Sequence, residues 1–271
     1  LQRRRERVRN KQTNKQTEHS SKTLISTVSL SGGREEEEGA TDFKMSLSGV
    51  IEEEEGATTS KMSLSGEHDT DTKTKSVDHG GECCSKYNLK KYASDLTLDP
   101  NTANIELSLS EENRKVTKVG DKQPYADHPE RFDFCRQVLC REGLTGRCYW
   151  EVEWSGEGAD IAVTYKGINR IGEGDDCDLG FNIKSWSVHC SDDGYNAWHN
   201  AECTAIPVPS SSHSNRVGVY LDWLAGTLSF YSASSDTLIH VHTFHSTFTE
   251  PLYPGFGIWA TGDSATLCQV E

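Results

Sequence analysis

Three histidines, His240, His242 and His245, fall within six residues, a density that invites a metal-binding reading. On an extended strand His240 and His242 share a face. No cysteine or carboxylate stands beside them at ligand spacing, so strand histidines exposed to water are the preferred reading. The run Glu173–Asp178 gathers four carboxylates around Cys177 and would draw a cation or a basic partner. It lacks the alternating ligand spacing of a calcium loop, and reads as a solvated acidic loop.

Nine cysteines are present: Cys83, Cys84, Cys135, Cys140, Cys148, Cys177, Cys190, Cys203 and Cys268. Their number is odd and their spacings make no tight framework. With no secretory signal and no Asn-x-Ser/Thr sequon, the expectation is reduced thiols in a cytoplasmic setting, several of them serving as small buried apolar residues. The pair Cys83 and Cys84 suggests lipidation, but lacks the flanks that usually accompany it. No G-x-S-x-G, H-E-x-x-H or phosphate-binding glycine loop occurs, and nothing sets a cysteine beside a histidine as nucleophile and base. The expectation is a protein with no catalytic residues and no cofactor, which binds and does not catalyse.

Charge narrows the partner. The 271 residues carry a net −14, unevenly spread. Residues 1–28 hold eight Lys or Arg against two Glu, residues 29–85 five against fourteen, and residues 86–271 fifteen against twenty-six. An acidic C-terminal part repels phosphate, which argues against nucleic acid. No run approaches the roughly 18 apolar residues of a membrane span. With 34% hydrophobic residues, the chain is too polar for one core along its whole length, so part of it is expected to be disordered.

That part is the N-terminal 1–85. Its basic start (Arg3, Arg4, Arg5, Arg7, Arg9) resembles a nuclear-localisation arm but reads better as a solvated tail. Because the chain starts with Leu, it is expected to be a fragment or to include upstream translation. Residues 29–66 repeat with a period of 17: Ser29–Gly32 recurs at Ser46–Gly49 and Ser63–Gly66, and Glu35–Glu38 recurs at Glu52–Glu55. Such short units with few apolar residues cannot stack into a solenoid, and the segment reads as a disordered acidic tether.

From residue 86 short β-rich runs alternate with Gly, Asp, Asn and Pro. Ile105–Leu109 and Lys115–Val119 flank Glu111-Glu112-Asn113 as a hairpin. In Cys148–Trp154, alternation puts Trp150, Val152 and Trp154 on one face and Tyr149, Glu151 and Glu153 on the other. Asp160–Tyr165 and Trp186–Cys190 follow. Arg216–Asp222 and Thr227–Tyr231 enclose a turn at Trp223–Gly226. Leu238–Phe244, Tyr253–Trp259 and Ala265–Val270 complete the series. No long helix is expected. The fold class is all-β, a sandwich of two antiparallel sheets preceded by a disordered leader.

Three motifs stand in order within this part: Leu98-Asp99-Pro100, Trp150-Glu151-Val152-Glu153-Trp154 and Leu221-Asp222-Trp223. Together with Pro129–Phe132 and Ala225–Tyr231 they resemble the PRY–SPRY family, found in tripartite-motif ligases, butyrophilins and stonustoxin-like proteins. The third motif is usually Leu-Asp-Tyr, so Trp223 is an aromatic departure. The resemblance implies a PRY segment over 86–143 and a SPRY segment over 144–271, joined in one sandwich. The Met-Ser-Leu-Ser-Gly repeats (Met45–Gly49, Met62–Gly66) resemble the leader of fish NOD-like receptors, which often end in PRY–SPRY. Their nucleotide-binding module and leucine-rich repeats are not in this sequence, nor is a RING or B-box cysteine array. The alternative to a stand-alone module is therefore a truncated product of a receptor or ligase gene.

Trp150, Trp154, Leu221 and Phe230 are expected in the core, and Leu98-Asp99-Pro100 to end a first strand, with Asp99 capping a turn. In the family the partner sits on a shallow face built by variable loops and one strand end. Residue-by-residue matching places Asp160, His189, Ser191 and Trp259 there. Some members carry tryptophan where His189 and Ser191 stand. Tyr195 and Trp198 are then read as replacement aromatic anchors on a nearby loop, the alternative being that Trp198 is buried locally under that loop. The implied role is recognition of a protein or peptide in innate immune sensing, without nucleic acid, membrane or small-molecule substrate.

Overall fold

The structure is a computed structural model that describes residues 85–207 and 214–270. The basic start, the 17-residue repeats, Cys83 and Cys84 lie outside the described residues. Among the described residues a short helix, α1 (Lys86–Lys90), precedes thirteen strands. They are β1 (Leu107–Ser110), β2 (Lys115–Lys118), β3 (Gln137–Leu139), β4 (Arg147–Ser155), β5 (Ala159–Tyr165), β6 (Ser185–Ser191), β7 (Gly194–His199), β8 (Glu202–Ile206), β9 (Arg216–Asp222), β10 (Thr227–Ala233), β11 (Leu238–His245), β12 (Leu252–Ile258) and β13 (Ser264–Cys268). They form two antiparallel sheets: a seven-stranded one in the order β1-β2-β13-β4-β9-β10-β11, and a six-stranded one in the order β3-β12-β5-β6-β7-β8. The expected sandwich is present.

The two-residue period of a strand decides what lies between the sheets. Trp150, Val152 and Trp154 of β4 join Leu221 of β9 and Phe230 of β10 from one side. Ile161 and Val163 of β5, Trp186 and Val188 of β6, and Phe256 of β12 meet them from the other. Each tryptophan removes on the order of 200 Å² from water, which makes this inner layer the main stabilising element.

Both outer faces are also partly covered. On the seven-stranded sheet, Tyr149, Tyr220 and Tyr231 pack under Leu89 of α1. Tyr149 and Glu151 do lie opposite the tryptophans, but they are buried, at 0% and 2% exposure. Ser85 caps α1 by accepting from the Asn88 amide, and Lys86 bonds Glu151. On the six-stranded sheet, Phe132, Cys135, Leu139, Ala162, Ile168, Cys177 and Leu179 make a second small cluster.

Two expectations need correction. Leu98-Asp99-Pro100 does not end a strand. Ala93 bridges Tyr149 and Leu98 bridges Cys140, each as an isolated pair. The segment crosses from one sheet to the other and so runs alongside neither. The turn itself is as expected: Asp99 Oδ1 accepts from the Asn101 amide at 3.0 Å, and Asp99 O accepts from the Thr102 amide at 3.0 Å. Second, the stretch expected to be a loop carrying Tyr195 and Trp198 is strand β7, paired with β6 and β8.

The hairpin motif closes as expected. Gly226 takes φ +69°, and a Cβ there would meet Ser246 O at 2.3 Å, so the turn requires glycine. Asp222 accepts from the Ala225 amide at 3.0 Å and pairs with Arg147 at 3.0 Å. Trp223 is half-buried and donates its indole N–H to Glu250 O at 3.0 Å.

Candidate functional site

On the outer face of the six-stranded sheet one cross-strand row runs Gln137, Gly257, Asp160, His189, Asn196, Ala205. Asp160 is its centre and is fully buried. A buried carboxylate is costly unless its oxygens are bonded. Here Oδ1 pairs with His189 Nδ1 at 2.9 Å, and Oδ2 accepts from Trp259 Nε1 at 2.5 Å. The bonds fix the planes of two rings that remain partly exposed, the His189 side chain at 19%. Gly257 leaves the space this needs: a Cβ there would lie 2.7 Å from Asp160 Oδ2 and 3.3 Å from Trp259 Nε1.

Ser191 ends β6 beside this group. A Cβ on Gly158 would contact both His189 Cε1 and Ser191 Cβ at 3.4 Å, so the three residues flank one point. Its hydroxyl donates to Gly194 O at 3.4 Å within the β6–β7 turn. The structure thus brings Asp160, His189, Ser191 and Trp259 together. Asp160 acts as a positioning residue and, being buried, does not itself present a surface.

Tyr195 and Trp198, expected as exposed anchors, are both buried. Alternation along β7 sends Tyr195 into the inter-sheet core at 2% exposure, where its hydroxyl donates to Ser214 O at 3.3 Å. Trp198 points outward but is 1% exposed, stacked under Phe181 with ring centroids 4.7 Å apart. The loop between β5 and β6 folds back over the outer face and covers it. In their place the face offers Asn196, directly opposite His189 and half-buried, with Cys203 of β8 against it at 3.8 Å. The alternation Tyr195, Asn196, Ala197, Trp198 held this signal once the stretch was recognised as a strand.

The acidic loop is held by its own polar groups. Asn182 Nδ2 donates to the carbonyls of Asp175 and Asp178 at 3.0 and 2.9 Å, and Asp176 accepts from Asn169 at 2.7 Å. Gly172 donates its amide to Asp133 Oδ1 at 2.9 Å. The histidines of β11 lie on the edge of the other sheet. Burial lowers the pKa of His240, and lowers that of His242 with smaller contributions from its two histidine neighbours. Among the thiols, burial pushes Cys140 and Cys190 well up, which holds them protonated.

The fold is shared with known proteins. The family model for PRY, the SPRY-associated domain, matches residues 96–144, and that for the SPRY domain matches residues 147–269. Stonustoxin subunit beta of Synanceia horrida is 48% identical over 169 residues, 62% of this chain and 24% of the toxin subunit. Tripartite motif-containing protein 16 of Mus musculus is 41% identical over 168 residues, 61% of this chain and 30% of that protein. The chain therefore spans about a quarter to a third of the curated relatives it matches. Among solved structures, the crystal structure of the TRIM65 PSpry domain superposes with a TM-score of 0.62 at 30% identity, covering 72% of this chain and 97% of that one. The stonustoxin structure superposes with the same TM-score at 44% identity, covering 68% of this chain and 28% of that one.

Proposed function

Because the chain belongs to the PRY–SPRY family, we propose that its sandwich is a recognition module that holds a protein or peptide against the face around His189, Ser191 and Trp259. SPRY domains are protein-interaction modules, and the sandwich carries that role here. One observation supports placing the contact on this face: a fully buried carboxylate, Asp160, orients two partly exposed rings at once. Rigid, pre-oriented aromatic and imidazole groups lose little entropy on binding, which suits them as contact points. The role is binding without chemistry. The acidic balance of residues 86–271 favours a partner that is neutral or basic over nucleic acid. By family, the setting is innate immune sensing in the cytoplasm.

The test is capture from immune-stimulated cytosol with the full chain as bait, beside His189→Ala and Trp259→Ala. A protein held by the wild type and lost by both variants, each shown to be folded by near-UV circular dichroism, supports the assignment. Equal capture by all three places the contact elsewhere.

A second reading has one observation in its favour. The relatives carry the same domain within chains three to four times as long as the matched part. On this reading the module is the recognition end of a longer receptor or ligase, and transcripts that join it to a RING or nucleotide-binding module would establish that.

A further inference from the structure

Seven cysteines of the described residues are reduced and stand outside any disulfide. Two of them meet: Cys135 Sγ and Cys177 Sγ lie 3.6 Å apart although 42 positions separate them in the chain. Both are buried, at 5% and 0% exposure. The segments that carry them are held on either side of the contact. Cys177 donates its thiol to the carbonyls of Gly172 and Gly174 at 2.9 and 3.0 Å. Gln137, two residues beyond Cys135, donates to Cys177 O and accepts from the Leu179 amide, both at 2.8 Å. A disulfide needs sulfurs about 2.0 Å apart, so the pair must close by about 1.6 Å.

We propose that Cys135 and Cys177 form an oxidation-sensitive pair whose disulfide pins the acidic loop Glu173–Asp178 to the segment leading into β3. The oxidant is a low-molecular-weight disulfide. The Cys135 thiolate attacks one of its sulfurs and releases one small thiolate, leaving a mixed disulfide on Cys135. Cys177 then loses its proton and attacks Sγ of Cys135, expelling the second small thiolate. The two protein protons end on the two released thiols, and the oxidant is reduced as the protein pair is oxidised. Cys135 reacts first because it is the less buried of the two. Its neighbour Phe134 is 51% exposed, so the segment reaches the surface. Burial raises the Cys177 pKa, which disfavours that thiol as the first nucleophile.

The latch bears on the recognition face through Gln137, which lies in the same cross-strand row as Gly257 and Asp160. That consequence rests on the proposed role of the face, whereas the disulfide itself does not.

The experiment incubates the full chain with rising oxidised glutathione, blocks free thiols by alkylation, and digests with trypsin without reduction. Cleavage after Arg131, Arg136, Arg170 and Lys184 isolates Cys135 in peptide 132–136 and Cys177 in peptide 171–184, one cysteine in each. The expected result is joint loss of these two peptides and their recovery as one cross-linked species before any other pair. Cutting at Asp175 and Asp176 by an aspartate-specific protease slows at the same time. Cys135→Ser and Cys177→Ser each abolish both effects, and Cys203→Ser abolishes neither. Cross-links spread over other cysteines overturn the proposal, as does Cys135 trapped as a mixed disulfide while Cys177 alkylates. A cross-link that leaves loop cutting unchanged overturns the latch. None of these readouts depends on partner capture, so failure of the recognition role would show separately.

Discussion

The Lys86 ammonium lies 2.9 Å from the Glu151 carboxylate, joining α1 to the centre of β4 with both side chains under a tenth exposed. Glu151 also accepts from the Tyr149 hydroxyl at 2.7 Å, and Lys86 donates to Ser234 O at 2.6 Å. The pair straps the N-terminal end of the sandwich over the tyrosines beneath it.

Removing one partner strands the other. Lys86→Met should cost about 2–4 kcal/mol, because Glu151 stays buried with only Tyr149 and the more distant Arg216 to compensate it. The double variant Lys86→Met/Glu151→Leu should recover most of that loss. Urea denaturation of the four proteins forms the cycle, and additive losses would mean the two side chains are uncoupled.

Asp160 holds the recognition face in shape. Asp160→Ala should destabilise the fold by about 1–3 kcal/mol by removing the acceptor that His189 and the Trp259 N–H share. Gly257→Ala should disturb the same bonds by crowding. Partner affinity measured on the folded fraction should fall in both variants. Unchanged affinity would show that ring orientation does not matter to binding.

Trp198 and Trp259 should behave oppositely. Trp198→Ala removes a fully buried ring stacked on Phe181 and should cost about 3–5 kcal/mol. Capture by this variant should follow its folded fraction. Trp259→Ala should cost less stability and more capture. Thermal melts run beside the capture assay separate the two.

Stability should fall on acidification in two windows. The folded-state pKa values of His240 and His242 lie below 6.5 because of burial. Their neutral forms stabilise the fold fully above pH 6.5, and that contribution is lost as pH falls through the lowered values. The hydrogen bond from Arg136 holds the Glu106 carboxyl below its usual 4.5, against the opposing effect of burial. Its contribution is lost further down, as pH falls below 4.5 through the lowered value. Urea midpoints between pH 7.5 and 3 should decline in that order, and His240→Gln/His242→Gln should flatten only the upper window.

Residue alternation alone marked the inner layer. Trp150, Val152 and Trp154 recur every second residue, and Gly226 stands where only glycine turns easily, so β4 and the β9–β10 hairpin were legible without coordinates. The ordered motifs carried the resemblance to the PRY–SPRY family, and that resemblance implied the fold. Strands β3, β7 and β8 were not legible. β3 has three residues, β8 lies at an edge with a polar pattern, and β7 mixes polar residues with large aromatics in a way that a loop also shows.

The site divides along the same line. That Asp160, His189, Ser191 and Trp259 belong together came from family spacing. Which of them meets solvent was decided by tertiary structure, because exposure depends on what covers a strand's outer face. The loop before β6 lays Phe181 over Trp198, while the His189 side chain keeps 19% of its surface exposed. The approach of Cys135 to Cys177 and the Lys86–Glu151 strap have the same origin. Sequence periodicity determines which face of a strand a side chain takes. Only the packing of remote segments determines whether that face is surface, core or contact between two groups 42 or 65 residues apart.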